Sequence, residues 1–227
     1  MFPFLRMGTR AALLCGLLVP FGAASTALAG DFHGGLNTGY SGGLGIQATG
    51  TFMDFTRELP LTARFTFGYN KAGAGDPYAA RHVFINDNTN GDPEKSASTW
   101  QFRFDLMFPA LTVGPQQLYL FVGPRHARYK ANFNYIGGNE NFDVTSNCWG
   151  AGAGLETWFV IGDTSDFVLQ VGLDWYADAT LTGHDTAYLP SGDHVNPRDG
   201  YDYGSADDAI DQPQLEILAM MGLRWRL

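Results

Sequence analysis

Residues 167–179 read FVLQVGLDWYADA, and apolar and polar side chains alternate along them. The apolar positions share one face, which carries Phe167, Leu169, Val171, Leu173, Trp175, Ala177 and Ala179. The opposite face carries Gln170, Gly172, Asp174, Tyr176 and Asp178. A repeat of two residues is that of an extended strand whose two faces meet different surroundings. The pattern therefore predicts a β-strand with one face in an apolar medium.

The same alternation recurs along the chain. It is clear at 63–70, 100–108, 149–161 and 215–227, and it indicates two further strands at 44–55 and 118–130. Short connections at 56–61, 111–117 and 162–166 alternate with long polar ones at 71–99, 132–147 and 180–213. Alternating segments joined in this way are typical of β-barrels that cross membranes.

An eighth strand is required in addition to the seven counted so far. Bacterial single-chain barrels have an even number of strands, because both chain ends lie on the same side of the membrane. We therefore predict a glycine-rich first strand at 32–40, followed by the tight turn Ser41-Gly42-Gly43. The expected fold is all-β, a single antiparallel up-and-down transmembrane barrel of eight strands.

Composition supports a membrane or all-β protein. The 227 residues include 29 glycines, 17 phenylalanines and 10 tyrosines, and only 16% are charged. No apolar run after the N-terminus is long enough to cross a bilayer as a helix. The formal net charge of −9 disfavours binding to nucleic-acid phosphates, so no nucleic-acid partner is expected.

The N-terminus resembles a secretory signal peptide. Arg6 and Arg10 precede the apolar stretch 11–22, and 27–29 reads Ala-Leu-Ala, a pattern of small residues at a cleavage site. We expect residues 1–29 to be removed and residues 30–227 to form the barrel. Only Cys148 then remains, so no internal disulfide is expected.

The chain resembles small eight-stranded outer-membrane barrels, the class of the outer-membrane protein A transmembrane domain and its OmpX-like relatives. The most specific likeness is the last strand, where Met221, Leu223 and Trp225 alternate and Leu227 stands where relatives commonly have phenylalanine. The resemblance implies the outer membrane of a Gram-negative-type bacterium, with lipid and lipopolysaccharide around the barrel. It also implies that the barrel-assembly machinery reads this strand, and that three long loops lie outside the cell.

If lipid surrounds the wall, the polar faces of the strands point inward. An eight-stranded barrel is just wide enough for side chains, so charges of both signs are expected to pair and fill the lumen. A catalytic set is the alternative interpretation. The ten candidates are Arg64, Arg103, Asp105, Arg125, Glu156, Asp174, Asp178, Glu216, Arg224 and Arg226.

The loops contain two further candidate sites. Asn86, Asn88 and Asn90 echo the alternating oxygen ligands of a calcium loop, but Ala97 occupies the twelfth position, where a glutamate is required. This favours a solvated loop, so no metal is predicted. The acidic residues of 180–213 indicate a solvated surface, with ion or partner binding as the secondary interpretation.

No catalytic constellation is recognisable. Serine, histidine and acidic groups carry the chemistry of barrel enzymes, but here no serine stands in a nucleophile motif beside His33, His82, His126, His184 or His194. The sequence therefore predicts a protein with a structural or surface-interaction role and no cofactor. A narrow channel or solute-binding barrel is the alternative, followed by a lipid A-modifying or proteolytic barrel.

Overall fold

The computed structural model describes residues 31–53 and 60–227. The predicted signal peptide at 1–29 lies outside these residues, as does most of the predicted turn at 56–61. Within them, no helix combines the length and the apolar character needed to cross a membrane.

Eight long antiparallel strands form a closed barrel. Each pairs with its neighbours along the chain, and β1 pairs with β10 to close the sheet. The predicted eight-stranded up-and-down barrel is therefore confirmed. The elements are β1 (Phe32–Ser41), β2 (Leu44–Phe52), β3 (Thr62–Ala72), α1 (Pro77–Phe84), β4 (Asp92–Val113), β5 (Gln116–Ile136), β6 (Asn141–Val160), β7 (Ser165–Tyr176), β8 (Leu181–Gly183), β9 (Thr186–Tyr188), α2 (Tyr203–Ala209) and β10 (Leu215–Arg226).

The weakly patterned first strand is present as β1, and its glycines have a packing reason. A Cβ atom on Gly39 would lie 2.3 Å from the carbonyl oxygen of Ala219 in β10, so only glycine permits this close pairing. Gly42, with φ of 65°, then makes the tight turn into β2. The first strand lacks the alternation of the other strands because close approach to the backbone of β10 requires glycine there.

Alternation along the strands separates two environments. Leu173 is 53% exposed on the outer wall, whereas the adjacent Asp174 is 1% exposed in the lumen. The same contrast distinguishes Ile217 from Leu218 on β10. The outer wall is an apolar band, and the polar faces line the interior.

Three strands extend well past the others at one end of the barrel. We call this the loop end, and the opposite end, which holds Asp31 and Leu227, the terminus end. The predicted loop 132–147 is wrong in its bounds, because β5 continues to Ile136 and β6 starts at Asn141. The predicted loop 71–99 is likewise shortened to the segment between Ala72 and Asp92, which contains α1.

The polarity of the faces reverses in these extensions, and this explains the misassigned bounds. Ala131, Phe133 and Tyr135 point inward and are buried, whereas Asn132 and Asn134 lie on the outer face. A strand pattern defined by apolar outer faces therefore stops near residue 130, although the strand itself continues.

A cap covers the inner face of the extensions. We define it as the connections 73–91 and 177–214, which contain α1, the β8–β9 hairpin and α2. The hydrophobic core between the cap and the extensions includes Val83, Phe84, Phe133, Leu181 and Tyr188. The Tyr188 hydroxyl donates to the carbonyl oxygen of Val83 at 2.9 Å, which ties the hairpin to α1. The long connections are thus folded parts of the molecule.

Candidate functional site

The centre of the lumen holds six charged side chains of alternating sign in mutual contact. They come from five strands, so the contacts cross the barrel. We call them the charge network: Glu156, Arg64, Asp105, Arg125, Asp174 and Arg103, in the order in which they touch.

Distances within the charge network are those of direct ion pairs. Arg64 and Arg125 each approach Asp105 at 2.7 Å, through different carboxylate oxygens. Arg125 and Arg103 share Asp174 in the same way, at 2.6 and 2.8 Å. Each of these five side chains is at most 1% exposed. If one of these side chains were removed, its partner would be left as an unpaired charge that water cannot reach. The stability of each ion pair therefore depends on the others.

A fourth lumen carboxylate is hydrogen-bonded to a neutral side chain. Glu216 on β10 accepts a hydrogen bond from the Gln101 side-chain amide at 2.9 Å. The other end of Gln101 accepts from Arg103 at 2.8 Å and from the Ser41 hydroxyl at 2.9 Å. Gln101 therefore links Glu216 to the charge network, and the described lumen centre holds one more carboxylate than guanidinium groups.

Apolar and aromatic side chains fill the lumen towards the terminus end. Met107, Phe121, Leu218 and Met220 are buried together there. The Arg64 guanidinium lies 4.7 Å from the centre of the Phe121 ring, so the apolar layer directly adjoins the charge network. We call this layer the apolar plug.

An aromatic and ionic cluster lies beside the apolar plug. Trp158 stacks on Tyr119 with 3.9 Å between ring centroids and donates from its indole nitrogen to Glu156 at 2.6 Å. The Arg224 guanidinium lies 3.6 Å from the Trp158 ring and binds Asp166. Trp158, which interrupts the polar face of β6 in the sequence, is thus an inward side chain with a hydrogen-bond partner.

Not every predicted lumen charge belongs to the charge network. Asp178 is exposed because β7 ends at Tyr176, and the alternation no longer sets its direction, so its inward assignment is wrong. Arg226 is also misassigned, since its side chain is 57% exposed at the terminus end and pairs with Asp31. Arg224 faces the lumen but pairs with Asp166, which lies at the start of β7 and was not predicted.

The C-terminal residues predicted as an assembly signal lie on the outer wall. Met221 and Leu223 are about half exposed there, at 53% and 47%. Trp225 pairs with Gly34 across the seam, and the Leu227 backbone nitrogen donates to the carbonyl oxygen of Phe32 at 3.0 Å. The last strand therefore joins the first from Leu218 to Arg226.

The candidate calcium loop lies in the cap, and its oxygens accept hydrogen bonds from groups of the same chain. Buried Arg81 donates to the backbone carbonyls of Asn88 and Asn90 at 2.8 and 2.9 Å. The side-chain oxygens of Asn86 and Asn88 accept backbone N–H groups two residues ahead, each at 3.0 Å. The described part of the chain has no group of three or more His, Cys, Asp and Glu side chains placed to hold a metal ion.

The histidines are distributed over the molecule. His82 contacts Asp87 at 2.8 Å in the cap, and Arg198 approaches the same carboxylate at 3.1 Å. These two hydrogen bonds, the one from His82 first, hold the pKa of Asp87 below its usual value. His126 lies on the outer wall between Phe102 and Trp149.

Comparison with known proteins relates this geometry to solved structures. No protein-family model matches the sequence, and no curated protein matches it. The chain is similar to a major outer membrane protein from Thermus thermophilus, with a TM-score of 0.71 and 19% identity, over 88% of this chain and 100% of that one. Neisserial surface protein A is more distant, with a TM-score of 0.36 and 11% identity over 87% and 95% of the two chains. At 19% identity the first likeness shows a shared fold, and the chain is an eight-stranded β-barrel with the fold of that outer membrane protein.

Proposed function

We propose that this protein is an outer-membrane barrel of a Gram-negative-type bacterium whose lumen is closed and whose cap acts at the cell surface. Residues 1–29 are its cleaved signal peptide, and residues 30–227 form the barrel. Lipid and lipopolysaccharide surround the wall, and the barrel-assembly machinery reads β10. The observation that carries the proposal is the combination of an apolar outer wall with a lumen occupied by paired charges.

The outer wall has the layered chemistry of a membrane-spanning surface. Aliphatic residues such as Val171 and Ile217 are exposed in its middle. Aromatic residues border this band at both ends, as expected where a wall meets the polar regions of a bilayer. They are Tyr40, Tyr69, Trp100, Trp149 and Trp175 at the loop end, and Phe32, Phe108, Phe159, Phe167 and Trp225 at the terminus end.

Three consecutive layers support a closed lumen. The apolar plug lies at the terminus end, the charge network occupies the centre, and the cap packs over the loop end. An ion would have to break several buried ion pairs to pass, and each broken pair leaves an uncompensated charge. We expect the purified protein to show no steady, porin-sized conductance in planar-bilayer recordings. Such conductance from a monomer would contradict a closed lumen.

A narrow water path is the second candidate function, because several buried polar atoms have no protein partner. Within the described residues, these include the Tyr176 hydroxyl, Thr99 Oγ1 and Asn70 Oδ1. Groups of this kind are commonly satisfied by bound water. Osmotic swelling of vesicles carrying the protein separates the two candidates, since water passage without ion conductance would favour this one.

Orientation in the membrane is tested by cysteine labelling. We expect a cysteine at Ser191 in the cap to react with a membrane-impermeant maleimide on intact cells. A cysteine at Thr164, in the short turn at the terminus end, should react only after the cells are opened. Both are placed in a Cys148→Ala background, which removes the native buried thiol. The reverse pattern would show that the cap faces the periplasm.

A further inference from the structure

All three lysines of the sequence lie beside one groove on the outer wall. The groove has a volume of about 390 Å³ and lies where β3 ends against β4 and β5. We call it the lysine groove; Lys71, Lys95, Ser96, Ser98 and Lys130 line it, with Tyr69 at its lower edge. A chain with a net charge of −9 thus concentrates all of its lysines in a single sector of its surface.

Strand register brings two of these lysines towards one point. Ser98 on β4 is directly opposite Lys71 on β3 and directly opposite Lys130 on β5. The two lysines are therefore two strand spacings apart, roughly 10 Å between backbones. Lysine side chains are long enough to reach a common anion above Ser98. Lys130 also pairs with Asp143 at 2.7 Å, and Lys95 donates to the carbonyl oxygen of Gly75 at 2.5 Å.

Successive rows of outward side chains change from two lysines and a serine to rows that consist mostly of aromatic rings. One row below Lys71, Ser98 and Lys130, towards the middle of the wall, come Tyr69, Trp100 and Arg128. The next row contains Phe67, Phe102 and His126. This order matches the layers of a bilayer leaflet, in which phosphates lie outside the interfacial zone and acyl chains inside it.

An apolar groove continues from the lysine groove down the wall. It has a volume of about 630 Å³ and runs across β10, β1, β2 and β3. Tyr69 lines both grooves, so they meet at this side chain. The floor of the apolar groove includes the small residue Ala48, between the larger side chains of Ile46 and Phe67. We call the two together the amphiphile site.

We propose that the amphiphile site binds a phosphorylated lipid of the outer leaflet, with its phosphate between Lys71 and Lys130 and an acyl chain in the apolar groove. The inference rests on the proposed outer-membrane location and goes beyond general lipid contact, because it assigns one sector and one head-group chemistry. Like charges on the lysine groove disfavour a second copy of the chain as the occupant.

The test measures lipid binding by native mass spectrometry of the purified barrel in non-ionic detergent. Three probes separate the two halves of the site: phosphatidic acid, diacylglycerol with the same acyl chains, and inorganic phosphate. We expect phosphatidic acid to bind about tenfold or more tightly than either of the others, because only it engages both grooves. Equal binding of phosphatidic acid and diacylglycerol would overturn the role of the lysines.

Variants assign the binding to named residues. Lys71→Gln should weaken phosphatidic acid binding about tenfold while leaving diacylglycerol binding unchanged. Arg226→Gln, which removes one exposed cation at the opposite end, is the matched control and should change neither. Ala48→Phe fills the apolar groove and should weaken both lipids, whereas Ala153→Phe on the remote wall of β6 should not. If Lys71→Gln and Arg226→Gln behave alike, the proposal is wrong.

Two further readouts keep this result separate from the proposed location. Insertion into phosphatidylcholine vesicles, followed by circular dichroism, tests whether the chain is a membrane barrel at all. Insertion without selective binding of phosphatidic acid would overturn the amphiphile site alone, whereas failure to insert would overturn the proposed function. A dimer that persists without lipid and is lost in Ala48→Phe would assign the face to self-association and would also overturn the amphiphile site.

Discussion

Replacement of Asp105 by asparagine is expected to lower the free energy of unfolding of the barrel by about 3–5 kcal/mol. Asp105 is fully buried and neutralises two guanidinium groups, those of Arg64 and Arg125. The amide has nearly the same shape but carries no charge, so the two arginines would share the remaining carboxylates of the charge network. Reversible unfolding in lipid vesicles measures the loss.

A surface pair with the same separation provides the control. Lys130 and Asp143 are also 2.7 Å apart, but both side chains are about half exposed. Asp143→Asn should therefore cost less than about 1 kcal/mol. If the two asparagine variants lose equal stability, the charge network does not hold the barrel together. Adding Arg125→Gln to Asp105→Asn should restore part of the loss, because the double variant again balances the charges.

Replacement of Val171 by arginine is expected to destabilise the barrel by about 2–4 kcal/mol in a bilayer. Val171 is 56% exposed on the outer wall of β7, midway along the strand between Phe167 and Trp175 of the two aromatic borders. A cation placed there must enter hydrocarbon or draw water and head groups into it. Unfolding in vesicles of defined thickness measures the cost.

Depth is the decisive variable in this experiment. Ala177 lies on the same side of the chain but beyond Trp175 and past the end of β7. Ala177→Arg should therefore cost less than about 1 kcal/mol, since its side chain can reach the polar interface. Equal effects at residues 171 and 177 would show that the apolar band is not surrounded by lipid, and the membrane assignment would be wrong.

The barrel strands were predictable wherever the two faces meet lipid and lumen. In β7, an apolar residue beside a charged one, Leu173 beside Asp174, indicates both the strand and its orientation. Prediction failed where the surroundings change along a strand. Beyond residue 128 of β5 the inner face packs on the cap and the outer face meets water. The apolar Phe133 therefore points inward and the polar Asn132 outward, the reverse of the arrangement in the rest of the strand.

For the charged side chains, the direction of the side chain was predictable from the sequence but its partner was not. Period-two alternation correctly predicts the inward direction of Arg64, Asp105 and Glu156, because direction depends only on strand geometry. It misassigns Asp178, which follows the end of β7, and Arg226, which lies at the rim. Partner choice was not predictable either, because the contact between Arg64 and Glu156 joins residues 92 positions apart through the closed barrel.

The class of fold, the number of strands and the apolar faces were predictable from the sequence, because they follow from local periodicity and chain parity. Three features emerge only in the folded molecule: the order of ion pairs in the charge network, the folding of the long connections into a cap, and the convergence of Lys71 and Lys130. Each of these depends on the register between strands. Register is set by pairing and closure of the whole sheet, and these bring together residues that no local pattern relates.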